Sequence, residues 1–229
     1  MAPLQRLLLH PAAKPLVLLL CLLPFAWLFY GAATDQLGAN PQEALIRATG
    51  DWTLRALCMV LAVTPLRVMT GISALARFRR MFGLLVYFYV VVHLLSYSWF
   101  DMGFDLADII QDIVKRPFIL VGSLALVLLS VLAGTSFNRA IKAMGGKRWQ
   151  ALHRTVYGVA GLALLHFFWM RAGKNDFGEV AIYAVILGAL LAWRVWHRVR
   201  KQSAGRFSAA GKTMLKKQPG RQSTVSKVS

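Results

Sequence analysis

RFRRMFGLLVYFYVVVHLLSYSWFD, residues 77–101, is the stretch whose reading decides the fold. Between Arg80 and Asp101 lie twenty residues, Met81–Phe100, without a single acidic or basic lysine, arginine or carboxylate side chain. A helix rises about 1.5 Å per residue, so such a run reaches across about 30 Å of hydrocarbon. Lipid offers no partner to a backbone N–H or C=O, which forces the segment to cross as a helix. One residue is out of place in that solvent. His93 lies about 20 Å past Arg80 and about 12 Å short of Asp101, and a polar side chain at such depth marks a candidate functional site.

Working outward, runs of similar character recur at 15–33, 52–69, 117–134, 149–170 and 179–197. The expectation is an all-α, polytopic membrane bundle of six transmembrane helices over residues 15–197. It is preceded by a short N-terminus (1–14) and followed by a polybasic tail (198–229). The chain of 229 residues is 57% hydrophobic yet carries a formal net charge of +18. Its mean hydropathy is +0.54. These figures coexist because the charges are segregated. Arg6 and Lys14 precede the first span, Arg77, Arg79 and Arg80 precede the third, and Arg139, Lys142, Lys147 and Arg148 precede the fifth. The tail is basic and holds no acid. The alternate loops are acidic or mixed, with Asp35, Glu43, Arg47 and Asp51 in one and Asp101, Asp105, Asp108 and Asp112 in another. That alternation obeys the positive-inside rule and predicts both termini in the cytoplasm. All seven Trp fall near span ends, as an interfacial belt requires. The basic excess is thereby assigned to topology and the lipid bilayer, with no nucleic acid partner. The tail, rich in Ser, Gly and Lys, reads as disordered and held near anionic lipid.

Residues 1–30 have a basic start and an apolar core, but that core is long for a signal peptide, so the segment reads as the first span. Cys21 and Cys58 lie in different spans without CxxC spacing and read as small buried apolar residues. Thr49 or Asp51 is expected to cap the second span. In the second acidic loop Leu106, Ile109, Ile110 and Ile113 recur at helical spacing, which predicts a short amphipathic helix on the outer surface. Pro117 then opens the fourth span. The acidic face of this loop is either a docking surface for a soluble partner or a solvated charge run.

Three histidines fall within the spans: His93 in the third, His153 and His166 in the fifth. Spans three and five run in the same direction. His166 lies about 27 Å past Arg148 and about 8 Å before Arg171, so it shares the depth of His93 in the outer half. Helix-borne histidines facing one another across a bundle can hold haem iron from both sides, and His93 and His166 are expected to do so. Zinc would need three or four N or S ligands, and no Cys, Asp or Glu joins the pair at that depth. His153 lies only about 8 Å past Arg148, and thirteen residues place it about 220° around the helix from His166. An inner haem would need a helix distortion, for which Gly158 and Gly161 leave room, and a partner on span three, where the matching positions are Arg79 and Arg80. His197 reads as an interfacial residue, and His10 lies outside any span. Arg55 either meets a haem propionate, snorkels, or pairs with Asp51 one turn away. Arg77, Arg79 and Arg80 either hold propionate or flavin phosphate or serve only as a positive-inside cluster. Tyr89, Tyr97, Phe167, Phe168 and Trp169 either wall a porphyrin or simply pack.

Several segments together resemble the MsrQ (YedZ) family of the ferric reductase-like transmembrane superfamily. They are LGANP (37–41), ATGDWTLR (48–55), VTPLR (63–67), RFRRMFGLLVYFYVVVHLLSY (77–97), KRPF (115–118) and GGKRWQALHRTVYGVAGLALLHFFW (145–169). The resemblance covers most of residues 15–197 and excludes the basic tail. It implies a multi-pass protein of the bacterial inner membrane with one or two haem b groups, and FMN as a further cofactor with no motif to locate it. It implies electron transfer from the respiratory quinone pool to a periplasmic molybdenum-cofactor methionine sulfoxide reductase, MsrP. It also carries the haem ligands onto His93, His153 and His166. The absence of an inner His on span three departs from the oxidase and ferric reductase pattern. No GxGxxG appears, and a tail of about thirty residues is too short for a flavin–nicotinamide domain. A ferric reductase or oxidase fed by a separate cytoplasmic flavin reductase is the alternative. A histidine-relay transporter would expect acidic partners or broken helices at mid-membrane, and the spans carry no Asp or Glu there.

Overall fold

The computed structural model describes residues 3–173 and 175–216, with side chains to Ser203. The described residues are helical and contain no strand. Packing divides the chain into two units, residues 1–190 and residues from Leu191 onward.

In the first unit a short helix α1 (Pro3–Leu9) precedes α2 (Ala13–Ala33). α3 (Pro41–Thr70) starts eleven residues before the expected span. The reason is local: Asn40 accepts from the Glu43 N–H at 3.2 Å and Pro41 occupies the first helical turn, a stronger start signal than Thr49 or Asp51. The stretch expected as loop is therefore helix, and Thr49 is fully buried within it. Gly71, at φ 70°, ends α3 in the left-handed conformation that glycine adopts freely. A 3-10 turn (Ser73–Phe78) leads into α4 (Arg79–Phe100). Gln5 donates to Ser73 and Arg77 to the Leu8 carbonyl at 2.9 Å, which fasten α1 to that turn.

The amphipathic helix expected after Asp101 is present as α5 (Leu106–Lys115), capped by Asp105, which accepts from the N–H groups of Ala107 and Asp108. Pro117 opens α6 (Pro117–Gly134) as expected. The segment 149–170 differs from expectation. A short α7 (Asn138–Met144) is followed by α8 (Gly146–His153), a break at Arg154–Thr155, and α9 (Val156–Ala172). At the break the Arg154 and Thr155 N–H groups bond three residues back, and the Thr155 hydroxyl takes the Leu152 carbonyl at 2.8 Å. A hydroxyl sharing a backbone acceptor in this way weakens and bends a helix locally. The break therefore falls at Thr155, ahead of Gly158 and Gly161.

α10 (Gly178–Lys216) runs from the first unit into the second. Its helical course continues into the segment expected to be disordered from residue 198, and residues 217–229 of that segment lie outside the described residues. Within the second unit His197 stacks on Trp193 at 4.9 Å, and the Arg200 guanidinium lies over Trp196.

Among the described residues five helices are long and apolar enough to cross a membrane: Ala13–Ala33, Pro41–Thr70, Ser73–Phe100, Pro117–Gly134 and Gly178–Ser203. α9, with 17 residues, spans about 25 Å. In the first unit α3 packs along α4 and α6 along α9. Leu57, Leu85, Val86, Tyr89 and Val159 form the centre of the core. Tyr89 donates its hydroxyl to the Cys21 carbonyl at 2.8 Å, joining α4 to α2. The outward faces are as apolar as the core. On α2 Leu16, Leu19, Leu20, Leu23 and Trp27 are exposed, and on α6 Leu120, Leu124, Val127 and Val131 form one stripe. Surfaces of this extent belong in lipid.

Candidate functional site

The paired helices α3–α4 and α6–α9 enclose a cavity of about 390 Å³, with Ile109 and Ile113 of α5 lining it from one end. His93 and His166 both line it. Their ring centroids are 6.3 Å apart and the ring planes stand at 79°. The two residues matched by depth along the sequence are thus brought together in the fold.

Each ring is fixed by its neighbouring helix. His93 Nδ1 is 2.9 Å from the Ile46 carbonyl and 3.3 Å from the Thr49 hydroxyl, both on α3. His166 Nδ1 is 2.6 Å from the Phe118 carbonyl on α6. A carbonyl only accepts, so Nδ1 carries the proton in both rings and Nε2 holds the lone pair. That arrangement, one ring nitrogen tied to a backbone carbonyl and the other left as a donor to metal, is how ligating histidines are oriented.

Two glycines make room for the rings. A methyl at Gly50 would meet His93 Cε1 at 3.2 Å and Nδ1 at 3.3 Å. At Gly122 it would meet His166 Nδ1 at 2.8 Å. α3 and α6 approach the imidazoles this closely only because those positions lack a Cβ. Sequence reasoning missed Thr49, Gly50 and Gly122. Gly50 lies within the quoted ATGDWTLR, but contacts across 44 to 48 residues leave no local signal.

The cavity is polar at one end and apolar at the other. Glu43, Arg47, Asp51, Tyr97, Asp101 and Arg116 line the end near α5, and Leu57, Val86, Val90, Leu129 and Val159 line the other. Arg47 pairs with Glu43 at 2.5 Å and Arg116 with Asp112, which also accepts from the Tyr97 hydroxyl at 2.5 Å. Burial pushes the Asp101 carboxyl above its ordinary range, against the opposing charge of Arg116.

The remaining expected residues lie elsewhere. His153 stacks on Trp149 with centroids 4.0 Å apart, and its Nε2 is 3.2 Å from the Thr135 hydroxyl. It does not line the cavity. Arg55 donates from Nε to the Tyr183 hydroxyl at 3.1 Å and lies over Trp52, so it faces away from the cavity lining. Arg79 and Arg80 start α4 at its far end from His93, with Arg80 bonded to Asn138 at 2.7 Å. Of the aromatic residues, Tyr97 and Phe167 line the cavity together with Phe118, while Tyr89 is in the core and Phe168 and Trp169 are exposed.

These residues fit a macrocyclic metal cofactor. Both rings line one cavity with Nδ1 tied to a carbonyl, so it is Nε2 of each that would be free to hold a metal. Two imidazoles are too few for a lone metal ion, whereas His93 and His166 would be enough to hold the iron of a macrocycle that supplies the remaining ligands. The volume falls in the range of about 300–1,000 Å³ usual for cofactor sites.

The family model described as "Ferric reductase like transmembrane component" matches residues 49–164, which contain His93, His153, Gly50 and Gly122. A relative from Polaromonas naphthalenivorans is 73% identical over 88% of this chain and 92% of its own length. Relatives from Herminiimonas arsenicoxydans and Rhodospirillum rubrum are 50% and 48% identical, each over 83% of this chain and over 87% and 90% of their own lengths. All three are named "Protein-methionine-sulfoxide reductase heme-binding subunit MsrQ". No solved structure matches. With identity of this order along nearly the full length of its relatives, the chain belongs to the MsrQ family of ferric reductase-like transmembrane proteins.

Proposed function

We propose that this chain binds haem b between His93 and His166 and carries electrons from the respiratory quinone pool to a periplasmic MsrP subunit, where methionine sulfoxide in envelope proteins is reduced. The observation that carries the reading is the imidazole pair, 6.3 Å apart with each Nδ1 held by a backbone carbonyl. The relatives' names, which specify heme binding in a methionine sulfoxide reductase, support it. When bound, haem supplies one-electron redox chemistry at its iron. The chain's own residues do the rest. The Ile46 and Phe118 carbonyls fix the tautomer of each ring, Gly50 and Gly122 admit the rings, and the apolar end of the cavity excludes water.

In the same reading α9 completes six spans, both termini face the cytoplasm, and the membrane is the bacterial inner one. MsrP would form a heterodimer with this chain on the periplasmic side. FMN, and a second haem at His153 near Arg79 and Arg80, rest on family resemblance. His153 makes no ring contact with another histidine among the described residues, which favours a single haem. The test uses the purified full-length protein with quinol, MsrP and methionine sulfoxide. Quinol should reduce the haem, and MsrP with its substrate should reoxidise it. Reoxidation by ferric iron or oxygen but not by MsrP would favour the ferric reductase or oxidase alternative.

A further inference from the structure

The haem reading leaves the polar end of the cavity unexplained. A porphyrin with two propionates is itself two-ended: an apolar, metal-bearing body and two carboxylates on one edge. Among the described residues the only lysine or arginine side chains lining the cavity are Arg47 and Arg116, both at the polar end. Each is anchored beside a residue that touches a histidine ring. Arg47 follows Ile46, which accepts from His93, and stands one turn before Gly50. Arg116 is two residues before Phe118, which accepts from His166.

We propose that Arg47 and Arg116 bind the haem propionates, one from each side of the histidine pair, and that Tyr97 and Asp112 position Arg116 to do so. This deepens the haem assignment and rests on it. The donor inventory allows it. A guanidinium has five N–H groups. Arg47 gives one terminal nitrogen to Glu43, and Arg116 gives Nε to Asp112. Asp112 is engaged on both oxygens, by the Tyr97 hydroxyl on one and Arg116 on the other, so the guanidinium is held by its Nε edge. Its terminal nitrogens then present the fork that suits a carboxylate. Of the propionate candidates from sequence, Arg55 is committed to Tyr183 and Trp52, and Arg79 and Arg80 lie at the far end of α4 from His93. The other charged groups at this end, Glu43, Asp51 and Asp101, are acids. Without the arginines the propionates would face carboxylates alone.

The test compares haem b with its dimethyl ester, which keeps the iron and macrocycle but lacks the propionate charges. Each is titrated into the full-length apoprotein in detergent and followed at the Soret band. Arg47→Gln and Arg116→Gln should each weaken haem b about tenfold and leave the diester unchanged, in line with the energy of a charge-assisted bond. Tyr97→Phe should weaken haem b in the same direction, by less, again without effect on the diester. With haem b bound, Arg116→Gln should also lower the midpoint potential, because a nearby cation favours the reduced iron. A tenfold change in the oxidised-to-reduced ratio corresponds to about 59 mV. Equal loss of both porphyrins, or no loss of haem b, would overturn the arginine assignment while leaving the histidine site standing. A wild-type chain that takes up neither porphyrin would overturn both.

Discussion

At Gly122 the missing Cβ is what lets the Phe118 turn of α6 reach the His166 ring, since a methyl there would stand 2.8 Å from Nδ1. Alanine is the better helix former by about 0.5–1 kcal/mol. Gly122→Ala should therefore leave the apoprotein no less helical yet reduce bound haem several-fold. Gly50→Ala, with its nearest approach at 3.2 Å, should do less. Gly158→Ala, which meets nothing within 4 Å, is the control and should keep full haem. Haem per protein from the absorption spectrum, beside a thermal melt, checks all three. At this scale the sequence was legible where depth alone decides. His93 and His166 could be paired by counting residues from the charged span ends. The groups that orient them could not, because Ile46 and Phe118 act through backbone carbonyls, which any residue supplies. Arg47 lies in a stretch expected as loop, and Arg55, for which a propionate contact, snorkelling and pairing with Asp51 stood open, bonds to Tyr183, 128 residues away.

Among the elements, α5 was legible from its apolar spacing and α6 from Pro117. Ile109 and Ile113 face the cavity, whereas Leu106, Ile110 and Val114 are exposed on the opposite stripe. α5 is thus a cover over the polar end of the site, fixed at its start by Asp105 and near its end by Tyr97–Asp112–Arg116. Removing an Asp N-cap costs about 1 kcal/mol. Asp105→Ala should accelerate amide hydrogen exchange in residues 106–115 about five-fold and leave exchange in α3 and α4 unchanged. Uniform acceleration through the bundle would show that α5 does not open independently. The start of α3 and the break before α9 were not legible. Hydropathy marks the apolar window of a helix and not its ends, and the switch to three-residue backbone bonds at Arg154 and Thr155 has no signature in hydropathy.

For the whole molecule, the helical bundle and its lipid-facing exterior followed from apolar runs and charge segregation. The span count is the point at which the 17-residue α9 matters. If α9 crosses with the five longer helices, the termini share one side; if it does not, they lie on opposite sides. Fluorescent-protein fusions at either terminus should both report the cytoplasm, and a periplasmic C-terminus would remove α9 from the spans. The account as a whole stands on a single iron held by His93 and His166. It is tested most directly by the absorption and electron paramagnetic resonance spectra of the purified oxidised protein and three variants. The wild type should show a low-spin, six-coordinate ferric haem. His93→Ala and His166→Ala should each lose that signal, and His153→Ala should keep it. Full, spectrally unchanged haem in both His93→Ala and His166→Ala would contradict the account.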